Sequence, residues 1–404
     1  MMRISQALKN QRDSWVIRLF YFLLIGAGGF IYPFLNLFFI RQHLSGTQIG
    51  LLSTAGAVSG LLFAPVIGRW ADRLSQPRRL LQVLLVIVAV LYLLLGQQAA
   101  FWGFAFFIAL EAAASSGIEP ISDTLTMGIV RQENRGGFGS VRVWGSLGWA
   151  LLVPIGGWLS DMFGLQVIFL GFTACFILGA LSLNWLKGPQ STNDKVLFSA
   201  PASLWSAAGL FVRDRALLGL VLSSVFTGLF VSGVYQFQSV FLDSLGASET
   251  LIGLASMVGS IVELPAMFWA DRLVKRGGGG RALILAMGLD AIRMLATLLA
   301  PTTLTIILAN ALSGISFSLK TVAVVSLITS RVGRQQSSTA LALYGITLGN
   351  LIQIIAAPIG GLAFDAVGAY WLYALGFGGY LLGLISLMLT GNHRVLTMNQ
   401  SARP

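Results

Sequence analysis

Acidic and basic residues lie close together along one stretch in the first half of the chain. Glu119 and Asp123 end one long apolar segment, and Arg142 lies a few residues inside the next one. A charged side chain within a lipid bilayer is costly, so such residues pair with one another or line a water-filled cavity. A guanidinium can hold a carboxylate and neighbouring hydroxyls together, because its donors form a planar fork. These three residues are therefore candidates for a site that binds a small polar solute.

The composition shows why the cost of charge in lipid matters here. The 404 residues are 56% hydrophobic and only 10% charged, whereas a soluble protein has about 25% charged residues. The chain is therefore predicted to be an integral membrane protein. Its net charge of +11 does not indicate nucleic acid, because the basic residues are distributed over the loops between apolar segments.

The residue types that enzymes and metal sites use are scarce. Cys175 is the one cysteine and lies in an apolar run, and His43 and His393 lie at segment ends. We expect no internal disulfide, no metal site and no cofactor. Because no nucleophile with a partnering base stands out either, the chain is not expected to be an enzyme.

Twelve segments are long and apolar enough to span a bilayer, which takes about 20 residues. Their approximate bounds are 15–40, 47–70, 79–97, 100–127, 138–160, 165–186, 216–242, 248–271, 281–300, 303–330, 337–363 and 368–390. The sequence predicts an all-α membrane protein with two six-helix bundles, at 1–187 and 216–404, joined by a polar cytoplasmic linker at 188–215. The first segment lacks the small-residue cleavage site of a signal peptide, so it is predicted to be retained as the first membrane helix.

Basic residues alternate between the two sides of the predicted membrane helices. Most of the 26 lysines and arginines fall at the two termini, in the central linker and in loops 2–3, 4–5, 8–9 and 10–11. All of these lie on one side of the membrane if every segment crosses it once. Because lysine and arginine favour the cytoplasmic side, both termini are predicted to be cytoplasmic.

The two halves of the sequence repeat one another. The sequence at 70–74 recurs with little change at 269–273, and that at 154–164 recurs at 358–368. A parallel repeat predicts two bundles related by an axis along the membrane normal, with a substrate site near the bilayer midplane. The recurring acid–base pairs at the cytoplasmic helix ends are predicted to act as gates, not as substrate ligands. They are Asp72, Arg73, Asp271 and Arg272.

Three motifs resemble those of a known family. The sequence from Gly68 to Arg79 resembles the loop 2–3 signature of the major facilitator superfamily, with Pro77 where the signature has glycine. Residues 138–151 resemble the helix 5 motif of its lactose permease (oligosaccharide:proton symporter) branch, and 263–268 resemble phenylpropionate permease-like members. The resemblance extends over the whole chain and implies the major facilitator fold.

For the first half, the resemblance implies the sugar-binding residues. Arg142 matches the arginine that hydrogen-bonds sugar, Trp149 the ring on which sugar stacks, and Asp123 lies nearest to the sugar-binding carboxylate. Glu119 and Asn36 are further candidate substrate ligands. The structural alternatives are an arginine that reaches the membrane surface, an ordinary interface tryptophan, solvated acids at a helix end, and an asparagine in an interhelical hydrogen bond.

For the second half, the resemblance implies a changed proton relay. Arg293 matches the coupling arginine, but Ser313 and Ser316 stand where the family has its histidine and glutamate. Glu263 is the leading candidate proton carrier, since a carboxylate in lipid can exchange protons near neutral pH. The further coupling candidates are Asp290, Lys320 and Glu111.

Each coupling candidate has a structural alternative. Glu263 can form a permanent bridge to Arg293 or Lys320. Asp290 can pair with Arg293, three residues further along one helix. Glu111 can form an ion pair that only holds helices together.

Together these features predict a secondary active transporter in the cytoplasmic (inner) membrane of a bacterium. A monomer is expected to move a small polar solute, first of all a sugar or glycoside, by alternating access with proton symport. Its partners are the solute, protons and the bilayer, and no nucleic acid. The alternatives are a proton-antiporting exporter of amphipathic drug-like compounds, an uncoupled uniporter, and a carrier of organic anions held between Arg142 and Lys320.

Overall fold

The structure, a computed structural model, describes residues 2–74, 76–133, 138–186, 204–332 and 336–390. Over these ranges the chain folds into helices and contains no strand, so the all-α prediction is confirmed. Eleven helical stretches are long and apolar enough to cross a membrane, and the last of them, Thr339–Thr390, has 52 residues. At about 1.5 Å per residue, such a stretch is more than twice the roughly 30 Å of a hydrocarbon core. Gly368 divides it with a φ of 78°, so it accounts for the eleventh and twelfth predicted segments.

The helices of the described ranges are numbered in chain order. They are α1 (Met2–Ile31), α2 (Leu35–Arg41), α3 (Gly46–Arg73), α4 (Pro77–Leu95), α5 (Phe101–Ser115), α6 (Ile118–Glu133), α7 (Phe138–Phe163), α8 (Val167–Ser182), α9 (Leu204–Arg213), α10 (Arg215–Ser244), α11 (Glu249–Gly277), α12 (Gly279–Leu299), α13 (Thr303–Arg331), α14 (Ser337–Ala342) and α15 (Gly349–Thr390). A short 3₁₀ helix, Leu183–Trp185, follows α8, and a π-helical turn, Leu343–Leu348, links α14 to α15.

Two of the predicted spans are each built from two helices. The first span divides between α1 and α2 at Pro33, which has no backbone N–H to continue a helix. The fourth divides between α5 and α6 at Ser116 and Gly117. This break precedes Pro120, although a proline within a helix is a common cause of a kink. Pro120 lies in the first turn of α6, where the missing N–H would have had no intrahelical partner.

Part of the predicted linker is helical. Residues 204–213 form α9, although the sequence interpretation places them in a loop; Phe211 of this helix is buried. Asp214 then begins α10, since its carboxylate accepts the N–H groups of Ala216 and Leu217 at 2.9 and 3.1 Å. The remainder of the predicted linker, apart from its last residue, falls on 188–203, outside the described residues.

The chain divides into two compact units. The first contains Met1–Leu44, Ala55–Leu197 and Ser248–Met257, and the second contains Ser45–Thr54, Phe198–Ala247 and Val258–Pro404, as far as these residues are described. Each unit therefore includes the beginning of one helix whose remaining residues belong to the other: α11 begins in the first unit and α3 in the second.

The sequence repeat recurs as a structural device in each unit. In the first unit, the carboxylate of Asp161 accepts two N–H groups at the start of α11, at 2.8 and 3.0 Å. In the second, the carboxylate of Asp365 accepts two at the start of α3, at 2.6 and 2.8 Å. A glycine with positive φ follows each aspartate by three residues, Gly164 at 82° and Gly368 at 78°. Both carboxylates therefore cap a helix N-terminus.

Close packing of α1 against α7 positions the candidate site of the first unit. A Cβ atom added at Gly148 of α7 would overlap the carbonyl oxygen of Phe22 on α1. Small residues allow two membrane helices to approach this closely. The contact brings Arg142 and Trp149 of α7 beside Tyr21 and the end of α1.

Candidate functional site

The charged residues singled out in the first half form an ion pair. Nη1 of Arg142 lies 3.6 Å from Oε1 of Glu119, and the two side chains are 52% and 73% exposed in the isolated chain. Arg142 is on α7 and Glu119 is in the first turn of α6. The pair joins two helices and is open on one side, so another molecule can reach the guanidinium fork.

Asp123 belongs to the same cluster through a tyrosine. The hydroxyl of Tyr21, on α1, donates to Oδ1 of Asp123 at 2.5 Å. Arg142 also acts electrostatically on this hydroxyl. Tyr21 is buried with 2% exposure, so its hydroxyl fixes the position of the Asp123 carboxylate from the interior of the unit. Tyr21 is not among the candidates that the sequence predicts.

Trp149 lies on the same face of α7 as Arg142, seven residues or about two turns further along. Its ring stacks on that of Tyr32, with centroids 6.0 Å apart and planes inclined by 22°. Gly28 leaves room for this pair, because a Cβ there would come within 2.6 Å of one ring and 3.2 Å of the other. Trp149 is half-buried. The sequence reasoning did not identify Tyr32, although the following Pro33 marks the end of α1.

The remaining first-half candidates are Glu111 and Asn36. Glu111 on α5 is half-buried, and both it and Glu119 act electrostatically on the hydroxyl of Tyr32. Asn36 on α2 is half-buried and has a partner of its own. Carboxylates, a guanidinium and an aromatic pair lie together in one unit, a combination that can bind a molecule with several hydroxyls and an apolar face.

The second unit contains a buried ion pair. Asp290 on α12 is fully buried and accepts Nζ of Lys320, on α13, at 2.6 Å. The hydroxyl of Ser316 donates to the other carboxylate oxygen at 2.6 Å. The side chain of Lys320 is 29% exposed. Asp290 therefore has both oxygens satisfied, and its cationic partner still borders open space.

Arg293 lies beside this pair with partners of its own. Its guanidinium donates to Oε1 of Gln238 at 2.6 Å and to the hydroxyl of Ser313 at 3.4 Å, and it lies 5.5 Å from the ring centroid of Tyr235. The hydrogen-bonded partners of Arg293 are thus residues other than Asp290, which pairs with Lys320. Ser313 contacts Arg293, and Ser316 contacts Asp290.

Glu263 lies on α11 and is half-buried. Its backbone carbonyl accepts the hydroxyl of Ser318, on the same helix as Lys320, at 3.0 Å. Its side chain has a partner. The carboxylate at 2.6 Å from Nζ of Lys320 is that of Asp290.

A cavity of about 330 Å³ lies next to Lys320 within the second unit. The polar residues of its wall carry an ammonium group, hydroxyls or an amide: Lys320, Ser223, Ser224, Thr227, Ser232, Tyr235, Tyr344, Tyr380 and Gln353. Tyr344 is on the π-helical turn, and its hydroxyl is 2.7 Å from that of Ser224. Since the Ser224 hydroxyl donates to the carbonyl of Leu220, Tyr344 is the donor in this contact. The volume is at the lower end of the range for ligand pockets.

The predicted gating residues lie at helix ends. Asp72 and Arg73 end α3 and are exposed, and neither takes part in an ion pair within the described ranges. Asp271 pairs with Lys275, one turn further along α11, at 2.6 Å, and Arg272 is exposed. Searched over the described residues, the chain has no group of three histidine, cysteine or acidic side chains able to hold a metal ion.

Comparison with known proteins assigns the family. A sequence model described as "MFS_1 like family" matches residues 14–375. Maltose permease of Geobacillus stearothermophilus is 30% identical over 364 residues, which are 89% of this chain and 90% of the permease. Lactose permease of Klebsiella oxytoca is 24% identical over 96% of both chains. A probable 3-phenylpropionic acid transporter of Escherichia coli K12 is 26% identical over 90% of this chain and 95% of the transporter.

A solved structure has the same fold. The nucleoside transporter NupG superposes with a TM-score of 0.79 over 94% of this chain and 98% of its own, at 14% identity. The relatives and the family are membrane transporters, not enzymes. The chain is thus a multi-pass membrane protein of the MFS_1-like family of major facilitator superfamily transporters.

Proposed function

We propose that this transporter moves a saccharide together with protons across the cytoplasmic membrane of a bacterium, by alternating access. The observation that carries the proposal is the cluster of Arg142, Glu119 and Asp123 beside the stacked rings of Trp149 and Tyr32, all within one unit.

The cluster suits a sugar better than an apolar solute. The carboxylates accept hydroxyl hydrogens, and the guanidinium donates to hydroxyl oxygens with a fork that can contact two neighbouring groups. The apolar face of a pyranose ring can lie against the exposed side of the Trp149–Tyr32 stack. That the relatives include a maltose permease and a lactose permease supports this substrate class.

For proton coupling, the contacts favour Asp290 over Glu263 as the carrier. Asp290 is fully buried and forms an ion pair with Lys320. A proton taken up by its carboxylate would end the ion pair and release Lys320 toward the adjoining cavity, which is the kind of two-state change that coupling needs. Ser316, at the family's relay position, donates to Asp290. A carboxylate from the neighbouring helix can thus replace the missing glutamate.

The remaining features follow the family pattern. We assign the exposed acid–base pairs at the ends of α3 and α11 to gating, both termini to the cytoplasm, and activity to a monomer. The distribution of basic residues supports the orientation. Labelling with an impermeant thiol reagent checks it. In a Cys175→Ser background, a cysteine at Ser45 should react from outside intact cells and one at Arg276 should not; the reverse would refute the assignment.

The test of the substrate class is uptake into proteoliposomes with an imposed inward proton gradient. Radiolabelled maltose, lactose, glucose, 3-phenylpropionate and a lipophilic drug cation are offered separately. One saccharide should accumulate, and Arg142→Ala should reduce its uptake about 10- to 100-fold, as expected for loss of a charged hydrogen-bonding group. Arg276→Ala, which removes an exposed arginine elsewhere, is the matched control. Drug efflux without saccharide uptake would refute the proposal.

The cavity beside Lys320 favours a second candidate, transport of an organic acid. An ammonium group and three tyrosines line this space, and such a wall can hold a carboxylate and an aromatic ring. Accumulation of 3-phenylpropionate, lost in Lys320→Met and retained in Arg142→Ala, would favour this candidate over a saccharide.

A further inference from the structure

An apolar groove of about 700 Å³ lies on the first unit, and its lining does not include Arg142, Glu119 or Asp123. Three tryptophans, Trp15, Trp144 and Trp185, form its walls together with residues of α1. Trp15 and Trp144 meet edge to face with centroids 5.5 Å apart. Trp15 and Trp185 are each more than half exposed. The proposed solute site uses none of these residues.

The position of the three tryptophans along the chain puts them on one side of the membrane. Trp15 is near the start of the first span, Trp144 near the start of the fifth, and Trp185 at the end of the sixth. With one crossing per span, these ends meet on the same side, where most basic loops also lie. Tryptophan is enriched at this depth, where acyl chains give way to head groups.

Arginines without carboxylate partners border the groove. Arg12 is part of its wall, and the guanidinium of Arg18 lies 5.2 Å from the ring centroid of Trp15. Arg78 donates to the carbonyl of Leu186, next to Trp185. The Nε–H groups of Arg18 and Arg78 are buried and have no acceptor in the described part of the chain.

Acidic residues do not balance these arginines. Asp13, on the same helix as Arg12, is buried and has a partner. No ion pair within the described ranges includes Arg12, Arg18 or Arg78. An unpaired buried donor is costly, and basic pockets between membrane helices bind anionic head groups. The combination of charge and apolar wall fits a phosphate joined to acyl chains.

We propose that this groove is a binding site for an anionic glycerophospholipid of the phosphatidylglycerol type. The phosphate lies against Arg12 and Arg18, and the upper parts of the acyl chains lie along Trp15, Trp144 and Trp185. The site is separate from solute transport and does not depend on which solute the protein carries.

The test is tryptophan quenching in nanodiscs of phosphatidylcholine that contain a small fraction of lipid brominated in its acyl chains. Brominated phosphatidylglycerol should quench more strongly than brominated phosphatidylcholine at the same mole fraction. Replacing the three groove tryptophans by phenylalanine should remove this excess. Inorganic phosphate at a matching concentration should not compete, since it lacks the acyl chains.

Variants of the groove arginines test how much the lipid head group contributes to binding. Arg12→Gln with Arg18→Gln should weaken phosphatidylglycerol binding by about fivefold per arginine. Arg276→Gln with Arg281→Gln is the control, because it removes the same charge from exposed positions in the second unit. Equal quenching by the two lipids would overturn the proposal and indicate that another part of the chain fills the groove. If both double variants lost the same affinity for phosphatidylglycerol, the effect would come from net charge alone, and the proposal would also be overturned.

Discussion

A single substitution of Asp290 or Lys320 is expected to lower the stability of the protein strongly. Removing one partner leaves the other charge buried and uncompensated, which costs about 3–5 kcal/mol for fully buried pairs. Lys320 is partly exposed, so we expect about 2–4 kcal/mol for Asp290→Ala or Lys320→Met. The double variant should recover most of this loss, because neither charge is left alone. Thermal unfolding in detergent measures the three free energies.

Comparison of the double variant with the two single variants shows whether Asp290 and Lys320 act as a pair. A double variant about as unstable as the sum of the single variants would mean that the two residues do not act as a pair. A stable double variant would provide a folded protein that lacks the proposed proton carrier, and such a protein is suitable for transport measurements.

Trp149 tests the sugar-stacking role directly. An aromatic contact contributes about 0.5–1.5 kcal/mol beyond buried area, so Trp149→Ala should weaken saccharide binding by about 3- to 10-fold and Trp149→Tyr should retain most of it. Equilibrium dialysis with the transported saccharide gives both values. Trp158→Ala, at an exposed position further along α7, is the control. Unchanged affinity in Trp149→Ala would return this residue to an ordinary packing role.

Sequence alone could identify some of these residues but not their partners. Arg142, Trp149 and the acids of the fourth span follow from motif and from the cost of charge in lipid. Tyr21 and Tyr32 were missed because their contacts depend on how α1 is rotated against α6 and α7. Likewise, Asp290 and Arg293 are close in sequence, but the rotation of α12 directs them to partners on α13 and α10.

The close packing of α1 against α7 depends on Gly148. Because a Cβ at position 148 would overlap the carbonyl of Phe22, Gly148→Ala should force the two helices apart and lower both stability and saccharide uptake. Gly139→Ala on the same helix is the matched control, since no atom lies within 4 Å of its added Cβ. Size-exclusion profiles and uptake compare the two variants. Equal behaviour would show that the close approach is not required.

The aspartate caps at the starts of α11 and α3 give an independent prediction. Asp161→Ala and Asp365→Ala should each cost about 0.5–2 kcal/mol of stability, as for other N-cap substitutions. Asp271→Ala, which removes one exposed pair within a helix, should cost about 0.3–0.5 kcal/mol. Thermal unfolding of the three variants measures the difference. If all three lost the same amount, the repeated aspartates would not act as caps.

Helix positions were easier to predict from sequence than helix interruptions. A long apolar run is sufficient to predict a span, and the described helices agree with all twelve predicted segments. The interruption at Ser116 and Gly117 was not predicted, and the nearby Pro120 does not mark it, because a proline in a first turn does not break a helix. Helix α9 was missed because its apolar run is too short to be read as a span.

For the whole molecule, the sequence repeat predicted two similar halves. It did not predict that each compact unit would contain the first turns of a helix from the other half. The repeated motif contained the reason, since Asp161 and Asp365 accept the N–H groups at those helix starts. Their partners lie far away in sequence, so only the folded chain could identify them.

The central claim is that saccharide and protons move together through this protein. Proteoliposomes with weakly buffered outer medium would receive a transported saccharide while external pH is recorded. We expect the medium to become more alkaline with the wild-type protein, and a solvent-only addition to leave it unchanged. The Asp290→Ala/Lys320→Met variant should exchange labelled for unlabelled saccharide without moving protons. Saccharide entry with no pH change in the wild type, or proton movement undiminished in the double variant, would contradict the account.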